Sequence, residues 1–120
     1  MLEIGIEISI LRDILDGKKT VEGRLGKPKF LKLRVGDEIS LREDIWKDGT
    51  IVDSVPDRAR IKVEQLLYFE SFEEMFGSVN FKSAVPSATT VDEAIAAYRQ
   101  FYSPEDEYEF GAVAIMFSLA

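Results

Sequence analysis

Eight residues concentrate the chemistry this chain can perform: Gly17-Lys18-Lys19-Thr20-Val21-Glu22-Gly23-Arg24. Gly17 lets the backbone turn tightly after a helical stretch. If the residues that follow are extended, Thr20, Glu22 and Arg24 project to one face and Val21 to the other. Arg24 offers a planar fork suited to a phosphate or a carbonyl edge, and Lys19 a compact positive charge. Desolvated among like charges, Lys19 would have a lowered pKa, which suits proton transfer. Glu22 can pair with Arg24 or accept hydrogen bonds from the amino groups of a ligand. The plainer reading is a structural Glu22–Arg24 pair steadying the strand. Exposed pairs of that kind contribute only about 0.2–1 kcal/mol.

The surroundings of this segment are cationic. Residues 17–34 carry Lys18, Lys19, Arg24, Lys27, Lys29, Lys32 and Arg34 against Glu22 alone, a net of +6. The whole chain is nevertheless acidic, at −7. Its 2 remaining basic side chains after residue 62 face 10 acidic ones. A focused basic patch on an acidic body can hold phosphate while the other surfaces repel it. A solvated loop, or a patch paired with the acidic C-terminal helices, would leave the same pattern.

Absences narrow the chemistry further. The chain has no cysteine and no histidine. Thiolate nucleophiles, disulfides, imidazole bases and the common zinc sites are therefore excluded. Asp44, Asp48 and Asp53 lie close in sequence, but Trp46 and Val55 stand where a calcium loop needs oxygen ligands. The run Glu105, Asp106, Glu107, Glu109 follows Ser103-Pro104 and fits helix-dipole stabilisation better than a cation site. Neither a metal nor a cofactor is expected. No apolar run approaches the length of a membrane span, and the N-terminus lacks the basic region of a secretory signal. The expectation is a cytoplasmic protein.

The elements that must position the eight residues follow from periodicity. The 120 residues, 46% of them hydrophobic, suit one globular domain spanning 1–120. Leu2 to Ile8 alternates as a strand, and Ile10, Leu11, Ile14 and Leu15 then take helical spacing, so the switch falls within residues 6–10. Residues 19–25 read as extended and 23–29 as a loop. A strand over 38–46 leads through the Asp48-Gly49 hairpin signal to one at 50–55. Pro56-Asp57 predicts a turn, then a strand over 59–69. Ser71-Phe72-Glu73-Glu74 and Thr90-Val91-Asp92-Glu93 are capping boxes, the second opening a helix through Tyr102. Ser103-Pro104 opens another helix, which Gly111 closes before a final apolar strand. About six strands with three or four short helices predict an α+β domain built round a small barrel.

The octapeptide fits the Gly-x-Lys-x-x-Glu-x-Arg signature of ASCH domains, members of the PUA-like superfamily, at Gly17, Lys19, Glu22 and Arg24. Leu33-Arg34-Val35-Gly36-Asp37 resembles the family's turn into a barrel strand. Tyr98-Arg99-Gln100-Phe101-Tyr102-Ser103, with Glu105-Asp106-Glu107 and Gly111, resembles its C-terminal half. The resemblance implies a PUA-like β-barrel with peripheral helices and a basic cleft that holds single-stranded RNA or a nucleotide. Lys18, Lys19, Glu22, Arg24, Lys27, Arg99 and Tyr102 are the ligand-binding residues it implies. Tyr98, Phe101 and Tyr102 are available to stack a base, unless they are core residues at helical spacing. One branch of the family hydrolyses N4-acetylcytidine with a Lys, a Thr and a Glu. By that likeness Lys19 and Glu22 would be catalytic. Glu22, however, stands where that branch has its Thr, and residues 79–90 contain no acidic residue where its Glu falls.

Overall fold

The alternating N-terminus and the helical spacing after it meet where the pattern changes. In the computed structural model, which describes residues 1–120, β1 (Leu2–Ile6) is followed by α1 (Ile8–Leu15). Leu11 and Ile14 are the buried side of α1. Gly17 takes φ +77° just after it, and the amides of Lys18 and Lys19 both donate back to the Asp13 carbonyl. The chain then enters β2 (Val21–Leu25) and a single turn, α2 (Pro28–Leu31), opened by its proline. A long hairpin follows, β3 (Glu38–Lys47) and β4 (Thr50–Phe69), turning at Asp48 and Gly49 with φ +53° and +78°. Four short helices come next: α3 (Phe72–Met75), α4 (Phe81–Ala84), α5 (Val91–Arg99) and α6 (Pro104–Phe110). The chain finishes in β5 (Ala112–Leu119).

The five strands form one sheet in the order β1-β3-β4-β5-β2. β1 runs parallel to β3, and every other pair is antiparallel. Side chains alternate along β5, so the sheet carries a core on each face. Val113, Ile115 and Phe117 join β1, α1, Phe30 and the β3–β4 hairpin on one face. Ala112 and Ala114 join Val21, Leu25 and residues of α3–α5 on the other.

The α+β class holds, and two expectations about the sheet are corrected. There are five strands because Pro56-Asp57 does not end a strand. It forms a bulge inside β4, where Leu41 pairs with Ala59 but Glu43 pairs with Val55. Asp57 takes φ +52° there, and its carboxylate accepts from Ser40 and Arg60, which steadies the bulge. The sheet is also not closed into a barrel, since β1 and β2 share no ladder. Six helices replace the expected three or four, because the single turns α2 and α4 are too short to carry a period. The expected caps at Ser71, Thr90 and Ser103 each accept from the amide three residues on. No helix is long and apolar enough to cross a membrane.

Candidate functional site

β2 is an edge strand, so half of its backbone groups need partners outside the sheet. Tyr98 supplies one: its hydroxyl accepts from the Gly23 amide at 3.2 Å. Glycine is required at that point, because a Cβ on residue 23 would lie 2.9 Å from the phenol carbon of Tyr98. The Tyr98 ring stacks on Phe72 at 4.8 Å, and Tyr102 stacks on Phe72 at 5.5 Å. This aromatic column fixes α5 against β2. Burial pushes the Tyr98 and Tyr102 hydroxyls above the usual phenol range, and Glu22 adds to both shifts.

On the opposite side of β2, Glu22 and Arg24 point into the gap between the two ends of the sheet. The sheet curls far enough for Arg24 Nη2 to donate to the Gly5 carbonyl on β1 at 3.3 Å. That side-chain bond stands where a closed barrel would have a ladder. The guanidinium also lies 6.0 Å from the centre of the Phe30 ring. Lys19 reaches the same place from the turn, and its Nζ donates to the Val21 carbonyl at 2.7 Å and to the Ala84 carbonyl. Burial pushes the Lys19 amine below the ordinary lysine range, with Glu22 opposing the shift and Arg24 adding to it.

Glu22 is held unusually. Lys19 and Arg24 each stand 3.7 Å from one of its oxygens, beyond hydrogen-bond reach. The Glu22 side chain is only 8% exposed. Buried carboxylates are ordinarily hydrogen-bonded by the protein. No fully enclosed polar side-chain atom lacks a partner in this molecule. The oxygens of Glu22 therefore keep a narrow contact with solvent. Arg24, 21% exposed, forms the outer member of the triad.

The other residues singled out in the sequence fall in different places. Lys18 is exposed on the turn beside Lys19. Lys27 is exposed and lies 5.5 Å from the Phe110 ring centre. Tyr102 is half-buried at the end of the aromatic column, Tyr98 is core, and Phe101 is 74% exposed. Arg99 is not brought to the triad. Its fork holds Glu107 at 3.1 and 3.2 Å, and it lines a separate groove of about 430 Å³ with Glu73 and Asp92. A second groove, of about 610 Å³, lies between β1 and α2 and contains Lys29, Lys32 and Arg60. Neither groove includes Lys19, Glu22 or Arg24. Sequence reasoning missed the contribution of Gly5. That contribution is a backbone carbonyl, which leaves no mark in the sequence, and the space beside the Gly5 Cα is taken by Asp44 and Arg42 instead. No group of three or more metal-ligating side chains occurs.

An α+β module with a curled, open sheet and a Lys–Glu–Arg turn at its seam is the class this architecture defines. Residues 5–120 match the ASCH domain family, and the chain belongs to it. A crystal structure of the hypothetical protein PH0355 is similar over 99% of this chain and 98% of its own, at 28% identity and a TM-score of 0.83. The solution structure of Protein PF0455 from Pyrococcus furiosus is similar over 98% and 96%, at 29% identity and a TM-score of 0.74. No curated protein matches the sequence.

Proposed function

We propose that this ASCH domain binds single-stranded RNA or a nucleotide at the seam formed by Lys19, Glu22 and Arg24. The observation that carries the reading is the state of Glu22. A carboxylate nine-tenths buried, without a protein donor in hydrogen-bond range, has acceptor capacity that the fold does not use. Burying such a cluster for stability alone is poorly rewarded, since apolar residues of similar size usually do as well. Arg24 has five donors, and its one hydrogen bond goes to Gly5. Lys18, Lys27, Lys29, Lys32 and Arg34 are exposed along the same stretch of chain and are available to contact phosphates.

A hydrolytic reading on N4-acetylcytidine or RNA makes Lys19 the general base. Its lowered pKa favours that role. Its two bonds to carbonyls favour instead a fixed donor that anchors the turn. Binding accounts for more of the geometry.

The test is affinity for a short single-stranded RNA against salt. With about three or four phosphate contacts, log affinity falls with log salt at a slope near −2 to −3. Lys27→Ala with Arg24→Ala flattens that slope and weakens binding at low salt. Binding that ignores salt, or that survives the double change, overturns the proposal.

A further inference from the structure

We infer that the base read at the seam is guanine, an inference that rests on the binding reading above. The argument is one of complementary edges. As a carboxylate, Glu22 presents two acceptors and no donor. Arg24 stands 3.7 Å from one of those oxygens and presents donors only. The array is acceptor, acceptor, donor. Its complement is an edge with two adjacent donors followed by an acceptor. Among the four RNA bases, only the Watson–Crick edge of guanine has that order, as N2–H, N1–H and O6. Cytosine would set its unprotonated N3 against a Glu22 oxygen, and adenine would do the same with N1. Uracil has a single donor between two acceptors. A buried site made to hydrogen-bond a specific edge discriminates strongly, because the wrong edge leaves its polar groups unpaired. Single-stranded bases are read along this edge.

Access needs the Arg24 guanidinium to release the Gly5 carbonyl while it keeps its place beside Glu22. That bond is 3.3 Å long, beyond the usual N–H···O range, so little is lost when it opens. Lys19 has no comparable freedom, since two carbonyls hold its amine. Glu22 therefore stays in position, and Arg24 exchanges the Gly5 carbonyl for the carbonyl oxygen of the base. The recognised chemistry is the guanine ring, whether it belongs to a free nucleotide or to a strand.

The experiment measures binding of the wild-type chain to the four nucleoside monophosphates and to four single-stranded RNAs that differ in one central base. Guanine should exceed the other bases by roughly ten- to a hundredfold. Inosine monophosphate lacks the 2-amino donor and should bind about tenfold more weakly than its guanosine counterpart. A 7-deazaguanine nucleotide retains the reading edge and should match guanine. Preference in strands alone assigns the site to RNA, and preference in the free nucleotides assigns it to a small ligand. Glu22→Gln, if it folds, should level the four affinities. Equal binding of all bases, or of inosine and guanosine, overturns the guanine assignment and leaves the binding reading intact. No binding of any nucleotide or strand overturns both.

Discussion

Gly23 and Tyr98 decide whether the site holds its shape. The ring of Tyr98 occupies the space a side chain at 23 would need, and its hydroxyl satisfies an edge amide that has no strand beside it. Gly23→Ala should therefore force the ring off Phe72 and destabilise the fold by about 1–3 kcal/mol. Tyr98→Phe removes only the acceptor and should cost about 1 kcal/mol. Urea melts of the two variants check both values, and a neutral Gly23→Ala would show that the column is not tightly held. The residue types at the seam were readable from the turn itself: Gly17, then Lys19, Glu22 and Arg24. Their depth was not, because Lys and Glu are ordinarily surface residues and nothing in their own spacing announces burial. Arg99 was grouped with Tyr98 and Tyr102 by adjacency in sequence. On a helix it is rotated by about 100° from Tyr98, which turns it toward Glu107.

Among the elements, α6 has a structural role that its acidic sequence only half discloses. Glu105 and Asp106 lie in its first turn, where they complement the helix dipole. Glu107 points inward, accepting from the Phe72 amide at 3.0 Å and from both arms of the Arg99 fork. It thereby ties α6 to the start of α3 and the end of α5. Burial raises the Glu107 pKa, but Arg99 and the Phe72 amide outweigh burial and hold it below the ordinary value of 4.5. The unfolded chain then takes up the proton first as pH falls. The contribution of Glu107 is complete above about pH 4.5 and is lost as pH drops through the folded value. Thermal melts should show wild type losing stability below that pH more steeply than Glu107→Gln. Parallel curves would remove Glu107 from the acid response. The caps and breaks around these helices were legible, since Ser71, Thr90 and Ser103 act through their own hydroxyls on amides three residues on, and Gly111 through its positive φ. The Pro56-Asp57 bulge was not. A proline and a residue with positive φ look alike in sequence whether they end a strand or only kink it, and pairing with β3 decided the matter.

At the scale of the molecule, charge is segregated. The basic stretch 17–34 borders the acidic helix α6, where Lys27 meets Phe110. An approaching polyanion is thus attracted by one surface and repelled by its neighbour. Glu109→Lys changes the local charge by two in the last turn of α6, where a cation suits the dipole. It should tighten RNA binding about two- to fivefold at low salt, and the gain should fade as screening shortens. An unchanged affinity at low salt would show that α6 lies outside the field the ligand senses. The overall architecture was legible as α+β from the alternation of periods. Closure was not, because whether the first and last strands of a curled sheet meet depends on what stands between them. Here it is the Arg24 side chain, reaching the Gly5 carbonyl. The curled sheet consequently has no unbroken hoop of backbone. Outward force cannot be carried all the way round the wall, and it gathers at the slit instead. The domain should give way there as a split collar does, widening at one line while the rest of its circumference keeps its shape.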